Sequence, residues 1–96
     1  MALFVVEYDY TDDTALRDEL RPGHRDLMSR LADAGVNLGS GIFGPEDPAG
    51  ALLLLRAESK EQALEYTAED PFRVRGAVRE YRIREFIPFF GAVASL

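Results

Sequence analysis

Cysteine is absent from this chain of 96 residues, and histidine occurs once, at position 24. Without cysteine there is no disulfide framework, no thiol nucleophile and no thiolate metal site, and one imidazole cannot make a histidine-rich zinc site. Basic side chains are in deficit, 11 against 17 acidic for a net charge of −6. That balance argues against nucleic acid or an anionic membrane surface as a partner. The opening Met1-Ala2-Leu3-Phe4-Val5-Val6-Glu7 has no positive flank and meets a glutamate too soon for a signal peptide or a membrane span. Cytoplasmic residence is the expectation. No serine stands in a recognisable nucleophile motif, which makes covalent catalysis the weaker option. A chain this short forms one domain, expected over 1–96 with a core to residue 88. It buries only about 60 to 65% of its unfolded surface, so association would help it.

The lone histidine sits in Arg21-Pro22-Gly23-His24, followed by Leu27, Met28, Leu31 and Ala34 at helical spacing. At about 100° per residue these share one face with His24, which therefore points toward the core. Pro22 suits the first turn of a helix and Gly35 its stop, so the main helix is expected from about Pro22 to Ala34. A short separate turn carrying Leu16 and Leu20 precedes it, capped within Thr11-Asp12-Asp13-Thr14. His24 then has two readings: a half-buried residue closing the helix top, or a base, since an ordinary imidazole titrates at about 6.5.

Leu3 to Tyr10 reads as a strand, apolar on both faces until Glu7 and Asp9, and so a central one. Val36 to Phe43 alternates more loosely, its glycines suggesting bulges or close approach of a ligand. Turn formers fill Gly44-Pro45-Glu46-Asp47-Pro48-Ala49-Gly50, so Ala51 to Leu55 returns as the hairpin partner, apolar throughout. Ser59 caps a second helix ending near Glu69, with Ala63, Leu64 and Thr67 inward. Asp70-Pro71-Phe72 opens a short turn to about Arg75, and Val78 to Ile87, alternating with arginines, reads as an edge strand. Pro88 to Val93 is an apolar tail expected to dock on the domain or on a neighbour.

The order strand, helix, strand, strand, helix, strand is the ferredoxin-like βαββαβ arrangement of an α+β fold, with both helices on one face of a four-stranded antiparallel sheet. Two strands look apolar on both faces, yet helices cover only one. A second copy stacked sheet to sheet would cover the other, giving a homodimer with a barrel-like core.

Together, Arg21-Pro22-Gly23-His24, Gly44-Pro45 after the second strand, and Asp70-Pro71-Phe72 with Gly76-Ala77-Val78 resemble the YciI-like (YCII-related) family. The resemblance runs from the first strand to Pro88. It implies a dimeric α+β barrel and an active-site histidine and aspartate, which fall on His24 and Asp70, with Arg21, Gly44 and Pro45 lining the same cleft. Related dimeric barrels include muconolactone isomerases, cofactor-free monooxygenases and a dehydrochlorinase acting on a chlorinated hydroxyquinol. The tail from Phe89 to Leu96 departs from the family pattern.

An aspartate bonded to one imidazole nitrogen fixes the tautomer and leaves the other nitrogen to take a proton. Arg21 would bind a carboxylate or enolate-like oxygen, and amides at the helix start around Pro22 to Arg25 would add positive charge. Asp70 also reads as a helix cap, Phe72 as a core anchor or a stacking wall, and Tyr8 or Tyr66 as core or as a hydroxyl donor. Arg73, Arg75, Arg79, Arg82 and Arg84 read as a solvated, ion-paired face. The resulting expectation is a lyase- or isomerase-type proton transfer, without metal or organic cofactor, on a small anionic or aromatic metabolite. A non-catalytic small-molecule-binding module and a cofactor-free monooxygenase-like protein are the alternatives.

Overall fold

Along β1 (Ala2–Tyr10) the side chains of Phe4, Val6, Tyr8 and Tyr10 are buried, while Val5, Glu7 and Asp9 between them are half covered. One row faces the helices and the other faces away, as the two-residue period of a strand requires. The computed structural model describes residues 1–96, and β1 leads into α1 (Thr14–Asp33), β2 (Asn37–Ile42), β3 (Gly50–Ala57), α2 (Lys60–Ala68), the single turn α3 (Pro71–Val74), β4 (Val78–Phe86) and a last 3-10 turn, Ala92–Ser95. The sheet is four-stranded and antiparallel in the order β2-β3-β1-β4. The two most apolar strands are thus the central pair, and the arginine-rich β4 is an edge. This is the α+β ferredoxin-like fold. No helix is long and apolar enough to cross a membrane.

The core lies between the helices and one sheet face, where Leu53 and Leu55 of β3 join the buried row of β1 and meet Leu20, Leu27, Met28 and Leu31 of α1. On the opposite face Val5 pairs with Leu54, and Glu7 lies between Leu52 and Arg82. There Glu7 bonds Arg84 at 2.6 Å and Asp9 bonds Arg82 at 3.0 Å, so the expected ion-paired face of β4 borders an apolar strip.

Two expectations need correction. Pro22 does not restart the chain: α1 runs unbroken for 20 residues from an Asp13 cap, with Pro22 inside it. A proline there removes the amide that would bond the Asp18 carbonyl, and because residue 18 is on the exposed side, water can take that carbonyl instead. The second strand is shorter than expected, and the bulge its glycines suggested falls between Asn37 and Gly39, breaking the simple alternation of Val36, Leu38 and Ile42. Phe89 and Phe90 of the tail are 79% and 90% exposed, so of its two expected docking partners a neighbour is the one that remains for them.

Among the glycines, Gly50 has the least room for a side chain. A methyl group at residue 50 would collide with the Tyr8 carbonyl oxygen and press on the Phe43 ring at 3.3 Å. Gly50→Ala is therefore expected to lower stability by about 1–3 kcal/mol, the usual cost of overpacking, read as a lower urea midpoint with an unchanged slope.

Candidate active site

Asp70 ends the α2–α3 connection and is fully buried. Its oxygens are met from three directions. The Phe72 amide donates to Oδ1 at 3.0 Å, which is the helix cap; the Tyr8 hydroxyl donates to Oδ2 at 2.9 Å; and His24 Nδ1 lies 2.8 Å from Oδ2 and 3.0 Å from Oδ1. Capping and orienting a histidine are thus served by one carboxylate, each oxygen having two lone pairs. A carboxylate only accepts, so the proton of a neutral imidazole belongs on Nδ1, leaving Nε2 as the ring nitrogen for a ligand.

Local sequence explains why these groups, 46 residues apart, meet. Gly23 is the position where α1 passes Pro71: a Cβ there would sit 3.0 Å from Pro71 Cγ, so the missing side chain allows the two helices to approach. His24, one residue on, then stacks on Phe72 with ring centres 4.2 Å apart and planes 12° from parallel. Tyr10 closes the group edge-on to Phe72 at 5.4 Å. The His24 side chain keeps 15% of its surface exposed against none for Asp70, so the imidazole lies between a buried anion and open space.

That open space is a cavity of about 440 Å³ between α1 and the β2–β3 hairpin. Of the residues singled out in the sequence, His24, Arg21 and Phe72 line it, and Asp70 stands behind His24. Phe72 is both core anchor and wall. Gly44 and Pro45 do not line it: the Asp47 amide bonds the Gly44 carbonyl at 3.0 Å, a tight turn that carries both residues out into solvent, and the flanking Phe43 and Ala49 reach the cavity in their place. Nor do helix-start amides contribute positive charge, because residues 22–25 lie in the interior of α1. Arg17, Arg25, Tyr10 and Phe43 are lining residues the sequence reading missed. The arginines at 17, 21 and 25 recur every four residues, a signal hidden by dividing the helix at Pro22. Tyr66 is outside this group. No cluster of three or more metal-ligating side chains exists in the chain.

Burial first, and then the adjacent Asp70 charge, raise the Tyr8 phenol far above its ordinary range, so it stays a hydrogen-bond donor to Asp70. The same causes push Tyr10 up to about 12, partly opposed by Arg17 and Arg21. Arg17 also stacks over the Tyr10 ring at 5.0 Å.

The chain matches a YCII-related domain over residues 1–87. Among solved structures it is similar to 5-chloro-2-hydroxyhydroquinone dehydrochlorinase from Burkholderia phenoliruptrix AC1100, in complex with 2,5-dihydroxybenzoquinone, at 17% identity over 88% of this chain and 92% of that one, with a TM-score of 0.75. It is also similar to an antibiotic biosynthesis monooxygenase at 16% identity over 91% and 98% of the two chains, TM-score 0.58, and to a candidate antibiotic biosynthesis monooxygenase from Nitrosomonas europaea at 12% identity over 94% and 100%, TM-score 0.60. Identities this low show a shared fold. Curated protein sequences give no match.

Two outcomes follow from the tyrosines. Tyr8→Phe leaves buried Asp70 short of one donor and is expected to cost about 1–3 kcal/mol in urea unfolding. The folded chain also holds phenolic protons that the unfolded chain releases near pH 10, so stability is complete below about pH 10 and falls as the pH rises toward 12. Urea unfolding as a function of pH should show a smaller fall in Tyr10→Phe.

Proposed function

The chain belongs to the YCII-related domain family, and from that premise we propose that it is a cofactor-independent enzyme in which His24 moves a proton and Asp70 orients it. The observation that carries this reading is the His24 Nδ1–Asp70 hydrogen bond at 2.8 Å, with the ring lining a cavity large enough for a small metabolite. Nε2 takes a proton from an acidic C–H or phenolic O–H, and the Asp70 charge stabilises the imidazolium that forms. Returned to a different atom, that proton completes an isomerisation; if the new electron pair expels a leaving anion, the reaction is an elimination. The dehydrochlorinase of like fold, with its quinone ligand, makes a flat anionic or aromatic substrate the first class to try.

The working protein is a cytoplasmic homodimer, with residues 1–88 as the domain and 89–96 as a contact tail. Val5, Leu52 and Leu54 form an apolar strip on the face no helix covers. Burying several hundred Å² there would contribute many kcal/mol at about 25 cal/mol per Å².

The test of the chemistry is solvent deuterium exchange into 2,5-dihydroxybenzoquinone and chloride release from 5-chloro-2-hydroxyhydroquinone. His24→Ala should reduce the rate by about 100-fold or more, the usual contribution of a positioned acid–base group. Rates unchanged in His24→Ala would remove His24 from the mechanism. For assembly, light scattering should give twice the chain mass for the wild type and one chain mass for Leu54→Arg with its circular dichroism preserved; a monomeric wild type at micromolar concentration contradicts the dimer.

A further inference from the structure

The chain carries a net charge of −6, yet three arginines and no carboxylate line its cavity. Arg17, Arg21 and Arg25 recur every four residues on α1, a row about 12 Å long at 1.5 Å per residue. The row lies one step nearer solvent than Leu20, His24 and Met28, as burial confirms: Leu20 and Met28 are buried, Arg21 is half-buried and Arg25 exposed. The cavity is therefore graded, with the imidazole inward and the guanidinium groups at the rim.

The three cations are not equally committed. Arg17 donates to the Thr11 carbonyl and covers the Tyr10 ring; Arg21 is bonded to Asp18 at 2.7 Å; the Arg25 guanidinium has no hydrogen bond or ion pair. Across the cavity from this row stand Ile42 and Phe43, large apolar side chains that are 80% and 38% exposed. A free cation facing bare apolar surface suits a ligand with an apolar body and one negative charge.

The geometry points to a carboxylate-bearing substrate, held with its acid group at the rim by Arg25, assisted by Arg21, and with its ring against Ile42 and Phe43, so that the reacting atom is presented inward to His24. A guanidinium matches a carboxylate with two parallel hydrogen bonds. Asp18 offsets Arg21, and the Thr11 carbonyl and Tyr10 ring occupy Arg17, so Arg25 is the one guanidinium of the row with its donors free, which suits the single charge and two oxygens of a carboxylate. Arg25 is thereby a specificity-determining residue. The inference rests on the reading of this cavity as the substrate site.

The test is an NMR titration of the whole chain with benzoate, benzamide and phenyl phosphate, following His24 and Phe43. Benzoate should bind about tenfold more tightly than benzamide, the value of one charge-assisted contact, and the difference should shrink with added salt. Arg25→Gln should abolish the preference and Arg25→Lys should keep part of it; the exposed, unpaired position makes both compatible with folding. Equal binding of benzoate and benzamide, or a preference undiminished in Arg25→Gln, overturns the carboxylate assignment while leaving the proton-transfer reading intact. Phenyl phosphate binding tighter than benzoate overturns it in favour of phosphate. Failure of all three probes to shift either residue overturns the site itself. Conversely, the preference should persist in His24→Ala, so loss of a catalytic role for His24 would not remove it.

Discussion

Asp70 is the point where the fold and the site become one problem. A fully buried carboxylate is costly unless its oxygens are satisfied, and here a strand, a helix side chain and a backbone amide satisfy them together: Tyr8 from β1, His24 from α1 and Phe72 from α3. No buried side-chain polar atom in the chain lacks a partner. The same three contacts bring three separate elements into register, so the histidine is held by the structure that the aspartate helps to build. Gly23 is part of that arrangement, since the close passage of α1 over Pro71 brings the imidazole within reach.

The sheet imposes the second constraint. Its helix-side face is filled by the alternating large residues of β1 and β3, whereas the other face carries Val5, Leu52 and Leu54 beside the Glu7 and Asp9 ion pairs with Arg82 and Arg84. Exposed pairs of this kind contribute little to stability, but they fix which edge of the strip is polar and would limit how a second sheet could lie on it. The cavity, by contrast, opens between α1 and the β2–β3 hairpin and keeps its own polarity, apolar on the hairpin side and cationic on the helix side.

The strand order, the α+β class and the helix starts at Ser59 and Asp70 were legible because each rests on local chemistry: an alternating apolar row, a side-chain oxygen followed by free amides, a proline in the first turn. His24 and Asp70 were legible as candidates from type and family resemblance. Their meeting was expected from the resemblance alone; the residues themselves could not show it, because it depends on a missing side chain at residue 23 and a contact across 46 residues. Pro22 misled for a definite reason: a helix tolerates an interior proline more readily where the freed carbonyl can meet water, and exposure of residue 18 is a tertiary fact. That error concealed the 17–21–25 spacing and placed helix-end amides where arginine side chains supply the charge. Gly44 and Pro45 were assigned by motif, whereas the geometry of the turn decides which of its neighbours face inward.

By this geometry Asp70 holds the neutral His24 ring with its proton on Nδ1 and leaves Nε2 free. Nitrogen-15 shifts of the His24 ring, recorded with the imidazole uncharged, report this directly. A protonated-type Nδ1 with an unprotonated-type Nε2 in the wild type, giving way to a mixture of tautomers in Asp70→Ala, is the result the geometry requires. A wild-type ring protonated on Nε2, or a tautomer indifferent to Asp70, would contradict it.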